Sequence, residues 1–315
     1  MEKKLEQKIY FYRVYGLYIE SNYQIEEFIQ VKKEENANKV LIRNNGVSKQ
    51  IKESIAQGKN FGFSKEEVWF NISEIAIYQV SNGNTINFEI YSNADKDLIK
   101  VYLMCSCLGF IMIQRKRIAI HGGCIVSNNK AVIITGERGA GKSTLTTAMR
   151  IKGYKFLADD VSALSNYDNT IMVEWGFPYQ KLCISAMNNF KYEQDKYISI
   201  MGDNEMKYMI PVYDNFIKER VQLGAIFQLT CEDIDHVRIE EIKGMKKLKS
   251  LISSIYRGEF LQYTMGISSD YLKKCISIAQ DIKFYKITRP KYGFSVDNQV
   301  KLIEDKLNLW RECSE

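Results

Sequence analysis

The hydrophobic rhythm of the chain changes twice. From residue 8 to 100, short runs rich in aromatic and β-branched residues alternate with polar positions: KIYFYRVYGLYIES, VWFNISEIAIYQV and TINFEIYS, divided by turn residues such as SNGN. Alternation of this kind puts one face in a core and the other in water, and predicts strands joined as hairpins. Residues 1–96 therefore read as a small, mainly β N-terminal domain. Over 97–116 the apolar run becomes nearly continuous, with VYLMCSCLGFIMI at 101–113. That run is too short to span a bilayer, so a connecting helix packed between domains is expected, and the basic QRKR after it permits contact with a membrane surface. From 117 onward, strand-like runs (RIAIHGGCIV, KAVIIT, YKFLADDVSAL, NTIMVEW, LGAIFQLT) lead into three helical patterns: MKKLKSLISSIYRGEFLQY, SSDYLKKCISIAQDI and SVDNQVKLIEDKLNLW. The last opens with Ser295, Val296 and Asp297, which is helix-capping chemistry. Residues 117–315 thus read as an α/β domain with C-terminal helices.

Composition adds a little to this. The 315 residues are 45% hydrophobic and 26% charged, with a net charge of +6. That suits a globular chain with a sizeable core. Its Lys and Arg residues are scattered through short clusters such as KGMKKLKS, which read as solvated helix faces or as an electropositive approach for a nucleotide or acidic peptide. Nucleic acid is not an expected partner, nor is stable membrane insertion. The seven cysteines lack a metal-type spacing, which argues against structural zinc. Unpaired thiols and a charged N-terminus, MEKKLEQKIYF, point to a cytoplasmic home.

The chemistry concentrates in KAVIITGERGAGKSTLTTAMRIKGYKFLADD. GERGAGKS matches G-x-x-x-x-G-K-[ST] through Gly136, Gly141, Lys142 and Ser143, between a β-type run and a helical run. In such a loop, residues 136–144 (Gly136, Glu137, Arg138, Gly139, Ala140, Gly141, Lys142, Ser143 and Thr144) turn backbone N–H groups toward phosphate oxygens. The lysine reaches the terminal phosphates and Ser143 binds Mg²⁺. Asp159 follows Lys142 by 17 positions, room for one helix, a turn at Gly153 and a strand returning parallel beside the loop's own strand. Asp159 and Asp160 would then emerge at the phosphate end of the sheet, one to hold metal and the other to accept a proton, as phosphoryl transfer to a hydroxyl requires. His121, one of two histidines, ends the strand-like run IHGG and is a further candidate. His236 lies in a polar run and reads as a surface loop.

The segment IHGG…VIITGERGAGKSTLTTAMRIKGYKFLADDVSAL resembles the C-terminal kinase domain of HPr kinase/phosphorylase. The whole-chain layout resembles HPr-kinase-related serine kinases of lasso-peptide biosynthetic clusters, through YRVYGLYIES, GFPYQKL, KYMIPV, LGAIFQL, IYRGEF and ITRP. The resemblance implies a P-loop kinase of this type, using ATP and Mg²⁺ to phosphorylate a serine hydroxyl of a peptide or protein, in a homo-oligomer. It implies His121 near the phosphates, Asp159 as catalytic base, and Asp160 and Glu174 near the metal with Ser143, although the two aspartates can exchange roles. Lys181, Arg257 and Arg289 match basic positions that can meet substrate or phosphate. EWGF departs from the family's E-x-R-G-type signature, which sets phosphorylase activity and the HPr protein as substrate outside the expectation. Two other readings fit less well. A small-molecule or phosphoenolpyruvate-carboxykinase-like enzyme needs more metal ligands than two histidines supply, and a switch or transporter ATPase needs an LSGGQ-type signature and a late Walker B acid.

Overall fold

The computed structural model describes residues 8–35, 37–201, 205–261 and 267–312. The chain divides into two compact units, Met1–Arg117 with Glu259–Gly266, and Ile118–Gly258 with Ile267–Glu315.

The first unit is built on a sheet of eight described strands: β1 (Tyr10–Val14), β2 (Leu17–Ser21), β3 (Ile29–Gln30), β4 (Lys39–Arg43), β5 (Phe61–Phe63), β6 (Glu67–Ile72), β7 (Ala76–Ser81) and β8 (Thr85–Ile90), ordered β3-β1-β2-β4-β8-β7-β6-β5. Helix α1 (Lys49–Ala56) is started by Ser48, whose hydroxyl accepts the N–H of Ile51. The β7–β8 hairpin turns at Asn82 and Gly83, both with positive φ, which is the chemistry an NG turn supplies. Tyr78 stacks between Phe70 and Phe88 in the sheet's aromatic core. Helix α2 (Lys96–Gln114) packs on β7 and brings Phe110 within 6.0 Å of Phe70.

This helix revises the sequence expectation. It is 19 residues long, long and apolar enough to cross a membrane by length and composition, yet 67% of its apolar window is buried. It contains a π-helical turn at Leu103–Cys107. Gln114 donates to the Val80 carbonyl and Arg115 to the Gly83 carbonyl, so the start of the basic QRKR is spent on holding the sheet. Lys100 is buried on the same helix and paired with Glu27 (2.6 Å) and Asp97 (2.9 Å), as a buried ammonium requires.

The second unit opens with β9 (Ala119–Ser127) and β10 (Lys130–Gly136), then helix α3 (Lys142–Ile151), β11 (Lys155–Ala158), β12 (Val161–Tyr167) and β13 (Thr170–Val173). A three-stranded sheet follows, of β14 (Tyr179–Cys183), β15 (Ile198–Met201) and β16 (Met206–Pro211), with α4 (Ile184–Asn189) after its first strand. The main sheet is completed by β17 (Val221–Glu232), β18 (Arg238–Glu241) and β19 (Lys283–Pro290), with helices α5 (Gly244–Ser253), α6 (Ser269–Asp281) and α7 (Val296–Glu312). Its order is β10-β9-β12-β13-β17-β19-β18; β10 also pairs with β17, and β11 with β9. Val296, Val300, Ile303 and Leu307 form the buried stripe of α7 and share a core with Leu145 and Met149 of α3.

One expectation about this sheet needs correction. The strand ending in the aspartates does not return beside the loop's strand. β9 lies between them, antiparallel to both β10 and β11. β10 finds its parallel partner in β17, far along the chain. The hydrophobic pattern of KFLA fixes a buried strand and its crossover fixes a direction; neither excludes an earlier strand from the gap. Because β10, β11, β17 and β19 all run the same way, their C-terminal ends still reach one edge of the sheet, where α/β folds place their ligands.

Candidate active site

The loop between β10 and α3 has the backbone its glycines predict. Gly136 has φ +143, and a Cβ there would lie 2.3 Å from the Leu229 carbonyl oxygen of β17. A second close approach explains IHGG: a Cβ on Gly123 would meet Thr146 Oγ1 of α3 at 2.7 Å, so the bare backbone lets the helix settle on β9. Lys142 folds back on its own loop, donating to the carbonyls of Gly136 (2.9 Å) and Glu137 (3.0 Å). Arg289, at the end of β19, donates to the Ala140 (2.7 Å) and Gly139 (3.1 Å) carbonyls. The sequence left Arg289 as a basic position that can meet substrate or phosphate; in the structure its guanidinium braces the loop while also lining the cavity beside it.

The aspartates sit in an interruption of one long pairing. β11 pairs with β9 at Cys124–Val126 and β12 resumes the pairing at Val161↔His121. Between them the Val161 N–H closes a tight turn on the Asp159 carbonyl (2.6 Å), and Asp160 takes φ +63. Positive φ is costly for most side chains and tolerable for Asp. Its effect here is to send neighbouring carboxylates different ways. Asp160 lines the cavity, whereas Asp159, 6% exposed, sits behind it with Oδ2 accepting the Lys181 N–H at 2.8 Å.

Asp160 gathers the other candidates. Lys181 Nζ lies 2.6 Å from its Oδ2, and His121 Nδ1 lies 3.5 Å from Oδ1 and 3.2 Å from its carbonyl oxygen. His121 is held at its backbone by the Ser254 carbonyl (2.7 Å), and its ring packs 5.6 Å from that of Tyr256. Burial works against ionising Asp160, but Lys181, His121 and Lys207 outweigh it and hold its carboxyl well below the usual range. Asp159 goes the other way: burial first, then the charge of Asp160, push it up to about 6. Burial also lowers His121 and Lys142, with Asp160 opposing in both cases. The site therefore favours a neutral imidazole beside an ionised Asp160.

His121, Lys142, Asp160, Lys181 and Lys207 line a cavity of about 510 Å³, within the range of ligand pockets. Its walls carry six cationic side chains (Arg138, Lys142, Lys181, Lys207, Arg289 and Lys291) against two carboxylates, Asp160 and Glu205. Ser143 and Thr144 line it as well. The three-stranded sheet delivers Lys181 from β14 and Lys207 from β16. It is tied to α3 by Gln180, which donates to the Ser143 carbonyl (3.3 Å) and accepts from Arg150 (3.3 Å). The arrangement suits a polyanion with its charge concentrated near the helix N-terminus.

A structure of the Hpr(Ser) kinase/phosphatase from Coxiella burnetii is similar to this chain, at 18% identity and a TM-score of 0.31, covering 62% of this chain and 97% of that one. No family model matches the chain, and no curated protein matches it. What the site can do therefore follows from its own side chains.

Glu174 and Arg257 are not among the residues lining the cavity, and neither are Asp159 and Gly136. Glu174 is buried at the end of β13, where it accepts a hydrogen bond from Ser165 Oγ (2.7 Å) with Arg220 at 3.9 Å; the rest of EWGF packs, Trp175 edge-on to Phe216. Arg257 has φ +53 and lays its guanidinium over the Tyr256 ring (5.5 Å). Glu137 and Ala140 belong to the loop but are not among the lining side chains, and Ala140 is buried. Sequence reasoning missed Lys207, Lys291, Tyr256, Phe294 and Gln299. Lys207 lay in the quoted run KYMIPV, but nothing local to it says that β16 carries it to the phosphate end of another sheet.

Proposed function

We propose that this protein is an ATP-dependent kinase that transfers the γ-phosphoryl group to a serine hydroxyl of a peptide or protein, with a ribosomally made precursor peptide of the lasso type as the favoured acceptor. The observation that carries the reading is the meeting of Lys142, Ser143, His121 and Asp160 in one cation-rich cavity at the sheet's C-terminal edge. The triphosphate would lie along the loop 136–144, with Lys142 released from its two carbonyls to the terminal phosphates.

Among the oxygen donors of the cavity, the Ser143 hydroxyl, in the first turn of α3, and the ionised Asp160 carboxylate would hold magnesium. Among the described residues no three His, Cys, Asp or Glu side chains come together as a metal site, so phosphate oxygens would complete the coordination. Bound there, magnesium would neutralise charge on the phosphates. In the transfer itself the acceptor oxygen bonds to the γ-phosphorus, the bond to the ADP oxygen breaks, and ADP leaves. The hydroxyl proton passes to a carboxylate oxygen of Asp160, the acid of the pair that faces the cavity, while Asp159 stays buried behind it. Neutral His121 and charged Lys181 hold Asp160 in place.

The experiment is incubation of the full chain with Mg·ATP and serine-containing precursor peptides, read by mass spectrometry. A phosphoserine on the peptide with stoichiometric ADP is expected. Steady ATP hydrolysis that is indifferent to peptide and leaves it unmodified contradicts the kinase and favours a nucleotide switch.

A further inference from the structure

The proposed mechanism accounts for the phosphate end of the cavity and leaves its other wall unexplained. That wall is made by the segment after β19 and by the first turn of α7. Phe294 lines the cavity while 54% exposed. Its ring is backed edge-on by Phe190 (6.3 Å between centroids, 70° between planes), which itself packs on the core cluster. The segment is anchored to the phosphate loop, since Arg289, two residues before Tyr292's neighbour Lys291, braces Gly139 and Ala140.

The second observation is independent. Gln299 interrupts the apolar face of α7 between Val296 and Val300 and is 1% exposed. Its amide nitrogen donates to Ser295 Oγ at 3.0 Å, but Oε1 is buried without a hydrogen-bond partner, although Gln299 lines the cavity. A buried carbonyl left unspent is costly, and a ligand that donates a hydrogen bond there would satisfy it.

We propose that Phe294 and Gln299 form a subsite for the base of the nucleotide, and that the subsite selects adenine. The proposal rests on the nucleotide reading above. The aromatic face supplies stacking, which any base accepts. The Oε1 acceptor matches the exocyclic amine of adenine and opposes the O6 acceptor that guanine carries at the same position. Selectivity then comes from Gln299 and affinity from Phe294.

Calorimetric titration of the full chain with Mg·ATP, Mg·GTP and Mg·tripolyphosphate tests this, with melting temperatures recorded for each variant. The wild type should prefer ATP over GTP by about tenfold. Gln299→Leu, and Gln299→Met as a second replacement of similar volume, should bring that ratio close to one. Phe294→Ala should weaken both nucleotides by about tenfold and tripolyphosphate hardly at all. A wild type that binds tripolyphosphate but treats ATP and GTP alike overturns the subsite. So does a Gln299 variant that keeps the preference, or one that weakens all three ligands equally. A wild type that binds none of the three overturns the nucleotide reading instead.

Discussion

Adjacent aspartates with opposed environments are the feature of this site most open to measurement. Asp159 is pushed up to about 6 from its ordinary value of 3.8, by burial and then by Asp160. Between about pH 4 and 6 the folded protein holds a proton there that the unfolded chain has released. The stability this supplies is present below about pH 4 and is lost as pH rises through 6. Asp160 runs the opposite way: its lowered carboxyl stabilises the fold above the ordinary value, and that contribution is lost only as the pH falls toward the folded value. Asp159→Asn, which keeps an acceptor for the Lys181 N–H, should therefore melt about 2–4 °C above wild type at pH 7.5, with the gap closing toward pH 4. A gap independent of pH would show that Asp159 does not titrate in that window. The sequence showed this pair and its loop because the spacing from Lys142 to Asp159 is local. It could not rank the two acids, since Lys181, His121 and Lys207, which hold Asp160 ionised, arrive beside it on β14, β9 and β16 through long-range pairing.

At the level of elements, the buried ion pair of α2 sets a clear expectation for the first unit. Lys100→Met would leave Glu27, itself buried, without its cation. Breaking such a pair costs about 3 kcal/mol, so the variant should unfold at markedly lower urea. An unchanged midpoint would mean the pair contributes nothing net. Helix α2 was legible as an apolar run, yet its partner was not, because residues facing a sheet and residues linking two units show the same hydrophobic excess. The β7–β8 hairpin was legible down to its turn, because Asn82 and Gly83 carry the positive φ within the local sequence. The order of the strands around β10 divides into a local and a distant part: β9 joins β10 through a tight hairpin at Asn128 and Asn129, both with positive φ, whereas the pairing of β11 on the far side of β9 is a contact between elements.

For the whole molecule, the decisive property is that four strands running in one direction deliver the glycine-rich loop, the aspartate turn and the Phe294 segment to one edge of the second unit. A second sheet then adds Lys181 and Lys207 to the same cavity. Lys142→Ala should accordingly lose nucleotide-dependent transfer altogether, and turnover at the wild-type rate would remove the loop from the mechanism. The most direct measurement compares single-turnover phosphoryl transfer from ATP to a serine peptide in Asp160→Asn and Asp159→Asn, alongside nucleotide binding. At saturating Mg·ATP, Asp160→Asn is predicted to lose transfer by about 10³-fold, with Asp159→Asn losing about tenfold. Transfer at the wild-type rate by Asp160→Asn, or a larger loss in Asp159→Asn, would contradict the assignment of Asp160 as the acid that meets the substrate.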